Sequence, residues 1–154
     1  RSFLDHAPVL MGVVELMPDA AHPTDILHVY DNPASERFFG APAGSTAGRL
    51  SSELGASPAV IATWIRHYVQ TAALGRPVAF DYAFDHAMGR RWLAVTVNAI
   101  GAGLSGRTRF SYVAEDATAR KRAEAERERL LAVAQSARAD AEGQQRRAEA
   151  AQQA

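Results

Sequence analysis

Cysteine is absent from all 154 residues, so the chain can form no disulfide, hold no metal through a thiolate and carry no cysteinyl cofactor adduct. Charge of one sign is missing too. The 17 Lys and Arg balance 17 Asp and Glu, with both signs interspersed in each half, which leaves no footprint for nucleic acid or an anionic membrane surface. No apolar run reaches the ~20 residues that a membrane-spanning helix requires. Proline stops at Pro77 and aromatic residues stop at Tyr112. From Ala117 to Ala154 the chain is almost entirely Ala, Glu, Arg and Gln, too poor in large apolar side chains for a second core. The sequence begins Arg1-Ser2 and stops inside a helical pattern, and it reads as a piece of a longer, cytoplasmic protein.

What remains is one domain over 9–115, preceded by a short flank, 1–8, and followed by a long helix over 116–154. Val9–Leu16 is apolar and partly β-branched. Pro18-Asp19 and His22-Pro23-Thr24-Asp25 supply turn chemistry before Ile26–Tyr30, which predicts a two-stranded hairpin. Asn32-Pro33 suits the start of a short helix ending at Gly40: the Asn side chain can cap, and Pro needs no amide hydrogen at the first position. One helical turn is expected around Arg49–Leu54. Ser57-Pro58 then opens the best helix, with Ile61, Trp64, Ile65 and Tyr68 at three- and four-residue spacing and a stop at Gly75-Arg76-Pro77.

Three strands follow, Val78–Phe84, Arg91–Ile100 and Thr108–Glu115, joined by a turn at Ala87-Met88-Gly89 and a loop over Gly101–Gly106. In the middle strand Leu93, Val95, Val97 and Ala99 alternate with Trp92, Ala94, Thr96 and Asn98, which puts the first set under the helix. The second set is not strongly polar, so the outer face of the sheet is expected to be covered by the N-terminal segment, the long helix or a second subunit.

Catalytic and metal-binding patterns are weak or absent. Gly101-Ala102-Gly103-Leu104-Ser105-Gly106 fits a dinucleotide fingerprint in letters, but the following segment alternates as a strand, whereas pyrophosphate binding needs the N-terminus of a helix there. Asp81, Asp85 and His86 form no recognisable acid–base set, and His6, His22, His28, His67 and His86 recur at no ligand spacing, so no metal site and no enzyme activity are expected. His67, beside Arg66, reads as a solvent-facing helix histidine, and His28 as a packed or surface strand residue.

Along the final helix one heptad seam runs through Ala123, Arg127, Leu130, Ala134, Ala137 and Ala141, rich in alanine with a single large residue. It predicts a close-packed but weak coiled coil joining two copies of the chain. Arg120 with Glu124, Arg122 with Glu126 and Glu142 with Arg146 stand four apart, each worth about 0.2–0.5 kcal/mol of helix support. Asp116 can cap this helix, with Thr118 as the alternative.

The order of elements over 9–115 resembles the PAS family of sensory domains. Val29-Tyr30-Asp31-Asn32-Pro33-Ala34 with Phe39-Gly40, then Leu74-Gly75-Arg76-Pro77-Val78, then Arg90–Val95, and finally Asp116-Ala117-Thr118-Ala119-Arg120-Lys121 occur in the family's order and spacing. The resemblance implies an α+β fold, a five-stranded antiparallel sheet with helices on one face enclosing a cavity. It also implies that Asp116 and Thr118 form the junction passing a signal into the helix. The implied role is a sensory, relay or dimerisation module of a bacterial signal-transduction protein, a sensor histidine kinase foremost, with an output domain downstream. Alternatives are a ligand-free dimerisation module and a redox sensor holding flavin noncovalently.

Without cysteine, covalent flavin and thioester chromophores are ruled out. Haem is disfavoured because His67 falls about one turn later than the expected ligand. Noncovalent flavin or another small ligand remains compatible, although Trp92 on the fourth strand points away from the expected cavity. Met11, Val13, Ile61, Ile65, Tyr68, Phe80, Val95 and Val97 are the candidates for the cavity wall, or else simply for the core.

Overall fold

A computed structural model of the chain describes residues 9–86 and 89–153. The 1–8 flank and Ala87-Met88 of the expected turn lie outside the described residues. The chain divides into two units, Arg1–Asp116 and Ala117–Ala154. The first contains β1 (Leu10–Met17), β2 (Asp25–Asp31), α1 (Pro33–Phe39), α2 (Pro58–Leu74), β3 (Val78–His86), β4 (Gly89–Ala102) and β5 (Thr108–Asp116); the second is one helix, α3 (Thr118–Gln153).

Local chemistry places the helices. Asn32 Oδ1 accepts from Ser35 N at 3.0 Å to start α1, and Gly40 ends it in the left-handed region at φ 75°. Ser57 Oγ accepts from Val60 N at 3.3 Å to start α2, which stops at Gly75 with φ 66°. The 49–54 segment forms a single turn closed by Leu54 N to Leu50 O at 3.1 Å.

The five strands are ordered β2-β1-β5-β4-β3, every neighbouring pair antiparallel. This is the expected five-stranded antiparallel sheet. Leu93, Val95 and Val97 of β4 are buried and Thr96 is exposed, as the alternation requires. They pack with Ile61, Ile65 and Tyr68 of α2, Phe110 and Tyr112 of β5, and Val14 and Leu16 of β1. Phe110 and Leu93 have no exposed surface, and burying side chains of this size contributes about 1.5–3 kcal/mol each.

β1 runs in the phase opposite to the one expected. Leu10, Gly12, Val14 and Leu16 face the core, so Met11 and Val13 lie on the other face and only half-buried. A continuous apolar run carries no alternation of its own. The informative residue is Glu15, on the Met11–Val13 face, where Ser105 Oγ donates to it at 2.8 Å and Arg109 Nε at 3.1 Å. The Ser105 contact pins the β4–β5 loop to β1, and Arg109 is the neighbour of Glu15 across the β1–β5 pairing. Gly103 N to Arg107 O at 2.9 Å closes the loop as a hairpin, and no helix follows it.

The α3 unit carries the expected Arg120–Glu124 ion pair at 3.2 Å. Glu126 accepts from Arg129 at 3.0 and 2.7 Å. Glu142 pairs with Arg138, one turn before it, at 3.0 Å, where Arg146, one turn after it, is the expected partner. Seam residues Ala123, Arg127, Leu130, Ala134, Ala137 and Ala141 are all exposed, and Leu131 and Val133 flank Leu130 and Ala134 as further exposed apolar side chains. Among the described residues no helix is long and apolar enough to cross a membrane.

Candidate functional site

The segment between α1 and α2 runs along the free edge of β2. Gly48 N donates to His28 O at 2.7 Å, His28 N to Arg49 O at 2.9 Å and Ser51 N to Ile26 O at 2.8 Å. These bonds cover a sheet edge that would otherwise expose unpaired amides. They also bring Thr46 and Ser51 against the side chains of β2. Between this segment, α1, the first turns of α2 and the inner face of the sheet lies a cavity of about 570 Å³.

One side of the cavity is aromatic. Trp64 of α2 lies 5.2 Å from Tyr82 and 6.2 Å from Tyr112, centroid to centroid. Tyr82 stacks on Phe84 at 5.8 Å, and Phe39 of α1 continues the wall 6.3 Å further on. Polar groups line the cavity as well. Tyr112 donates to Asp31 Oδ1, and Ser35 Oγ lies 2.5 Å from the same phenol oxygen. His28 Nδ1 lies 2.7 Å from Asp31 Oδ2 and its Nε2 is 2.8 Å from Ser51 Oγ. His28, three residues away, and Tyr112, 81 residues away, thus converge on one carboxylate.

Burial pushes the Asp31 carboxyl up, but the hydrogen bond and charge of His28, with hydrogen bonds from Tyr112 and Thr46, outweigh it and hold the group below the usual carboxylate range. Burial, followed by the Asp31 charge, pushes the Tyr112 phenol well above its ordinary value, so it is a neutral donor. Glu15 and Asp25 are likewise lowered despite burial, Glu15 mainly through Ser105 and Arg109 and Asp25 mainly through Ser52.

A carboxyl whose folded pKa is depressed stabilises the fold above its unfolded pKa and loses that contribution as pH falls through the folded value. The domain should therefore hold full stability above about pH 5 and lose it progressively below about pH 4. Denaturant midpoints measured across pH 3–7 check this, and Asp31→Asn should flatten the acid limb.

Asn32, fully buried beside this network, joins three elements. Its Oδ1 accepts from Met11 N at 3.1 Å as well as capping α1, and its Nδ2 donates to Val9 O at 2.9 Å. The sequence reading gave Asn32 only the capping role.

Of the eight residues expected on the cavity wall, Ile61 and Tyr68 line it. Ile65, Val95 and Val97 are close-packed core. Phe80 lies under α2, where His67 stacks on it at 3.6 Å with the rings 5° from parallel. His67 is therefore half-buried, not solvent-facing, and burial and then the Arg66 charge lower its pKa. It does not line the cavity, which removes it from ligation of anything held there. Trp92 lies under the guanidinium of Arg90 at 5.7 Å and is also outside the lining. Asp116 ends β5 and pairs with Arg91 of β4. α3 begins at Thr118, so the residue before its first turn is Ala117.

Residues that sequence reasoning missed are His28, Asp31, Ser35, Glu36 and Tyr112. His28 and Asp31 stand three apart in β2, a spacing that regular strand alternation sends to opposite faces; the register shift where β2 pairs with β1 brings them together. No Lys or Arg lines the cavity among the described residues. Among the described residues no group of three or more His, Asp and Glu could hold a metal ion.

No family model matches the sequence, and no curated protein matches it. Solved structures do. An RNA-binding light-oxygen-voltage receptor is 24% identical with a TM-score of 0.57, over 84% of this chain and 35% of that one. The PAS domain of a protein from Colwellia psychrerythraea is 14% identical with a TM-score of 0.54, over 75% of this chain and 91% of that one. VqmA of Vibrio cholerae, bound to DPO, is 17% identical with a TM-score of 0.57, over 73% of this chain and 54% of that one. The chain spans about a third of the length of the light-oxygen-voltage receptor and about half of VqmA. With its sheet ordered β2-β1-β5-β4-β3 and α1 and α2 between β2 and β3 in the chain, the domain is similar to a solved PAS domain over three quarters of this chain, and it has the PAS fold.

Proposed function

We propose that the domain is the sensory module of a bacterial, cytoplasmic signal-transduction protein, a sensor histidine kinase foremost, and that it performs no chemistry itself. A small molecule held noncovalently in the cavity is the stimulus. The observation that carries this reading is the link from cavity to output strand. Tyr112 lines the cavity, hydrogen-bonds Asp31 and belongs to β5, which ends at Asp116 just before α3 begins. A ligand that displaces the Asp31–Tyr112 pair thus acts on the strand that leads into the helix. The similarity to VqmA bound to DPO supports a small-molecule role. A module for dimerisation alone has no use for the cavity.

Two copies joined through α3 complete the proposal. The exposed Leu130, Leu131 and Val133 supply the apolar contact that the alanine-rich seam otherwise lacks. A downstream output domain would sense rotation or register of the paired helices. Deleting one residue between Arg120 and Leu130 turns the following seam by about 100°, whereas deleting seven changes its phase by only ~20°. In the full-length protein the single deletion should lock or abolish regulated output and the heptad deletion should preserve it. Equal regulation in both would make the helix a passive tether.

A further inference from the structure

The cavity also indicates the charge of its ligand. This inference rests on the sensory reading and specifies what the site would take. The titratable side chains lining the cavity are His28, Asp31, Glu36, Tyr68, Tyr82 and Tyr112. His28 and Asp31 satisfy one another across 2.7 Å, and Tyr112 donates to the same carboxylate. Glu36 is the acidic group left over. It is only 6% exposed, forms no ion pair among the described residues, and the one hydrogen bond its side chain accepts there is a long one, 3.4 Å from Thr46 Oγ1. The Thr46 hydroxyl also helps to hold the Asp31 carboxyl low, and it has only one proton to offer the two carboxyl groups.

Burying a carboxylate without a charged partner is unfavourable, and a second one nearby makes it more so. A cation between Glu36 and the aromatic wall would relieve both. Trp64, Tyr82, Phe84 and Tyr112 on that wall offer the electron-rich faces that attract organic ammonium groups. An anion would meet Asp31 and Glu36 with no Lys or Arg to compensate among the described lining residues.

We propose that the cavity binds an organic ammonium: a protonated or quaternary amine on a small apolar body, its charge held by Glu36 and its body by the aromatic wall. Three probes of similar shape separate charge from size: phenethylammonium, 2-phenylethanol and 3-phenylpropionate, titrated calorimetrically at neutral pH into the whole chain and its Glu36→Gln variant. Phenethylammonium should bind saturably and about tenfold or more tighter than the alcohol, as expected for a desolvated cation–π and carboxylate contact. 3-Phenylpropionate should not bind.

Glu36→Gln keeps the shape and the Thr46 contact. It should bring the affinity for the ammonium down to that for the alcohol, while the variant still melts cooperatively. Tighter binding of the alcohol or the carboxylate, or undiminished ammonium binding by Glu36→Gln, overturns the cation assignment while leaving a ligand-binding sensor in place. Binding of none of the three also overturns it. If native mass spectrometry of the same preparation then finds no copurified small molecule, the sensory reading falls with it.

Discussion

Val95→Asp is expected to leave the domain unfolded, whereas Thr96→Asp, one residue further along the same strand, should leave it folded. Val95 is 2% exposed and stands between Phe80 of β3 and Ala114 of β5 on the helix-covered face. A carboxylate there has no charged partner, and burying it costs several kcal/mol in addition to the lost packing of the valine. That sum is comparable with the entire stability of a small domain, about 5–15 kcal/mol. Thr96 pairs with Ala79 and Val113 on the exposed face, where a substitution should cost no more than about 1 kcal/mol. Circular dichroism and thermal melts of the two variants decide the matter. A cooperative melt for Val95→Asp together with an unfolded Thr96→Asp would mean that the two faces of the sheet are assigned the wrong way round.

Gly12→Ala should be the most damaging single methyl addition in the sheet. Replacing glycine by alanine within a strand is ordinarily favourable by about 0.5–1 kcal/mol. Gly12, however, is in register with Asp31 on one side and Tyr112 on the other. A Cβ there would fall 2.5 Å from Tyr112 Cε1, 2.6 Å from Tyr30 O and 2.7 Å from Asp31 Oδ1. The carbonyl can retreat only if β1 and β2 shift, and the two side chains can retreat only by breaking the Asp31–Tyr112 bond. A loss of about 3 kcal/mol is expected, lowering the melting temperature by roughly 12–24 °C. Tolerance to within about 1 kcal/mol would show that this close approach is not a constraint.

The legible parts of this fold were those written locally. Asn32-Pro33 with Gly40, and Ser57-Pro58 with Gly75, delimit two helices through groups adjacent in sequence, and the alternation of Leu93, Val95 and Val97 fixes the phase of β4. The phase of β1 was hidden because Val9–Leu16 is apolar at almost every position, leaving Glu15 as its only marker. The cavity wall was misplaced for a related reason. Periodicity identifies residues that face inward, and in this domain most of them, including Ile65, Val95 and Val97, fill the space completely. The void opens toward β2 and the glycine-punctuated 40–56 segment, which has no period to read. Its polar cluster joins residues up to 81 positions apart, Asp31 and Tyr112, and only the sheet order brings them together.

If the cavity is a binding site and more than a packing defect, it holds a small molecule. Native mass spectrometry of the purified chain, compared with an Ala56→Phe variant that places a ring in the cavity, tests it most directly. The wild-type chain should carry a noncovalent mass, or acquire one from a metabolite extract, that is absent from the variant although the variant melts cooperatively. An identical, ligand-free mass for both proteins under both conditions would contradict it.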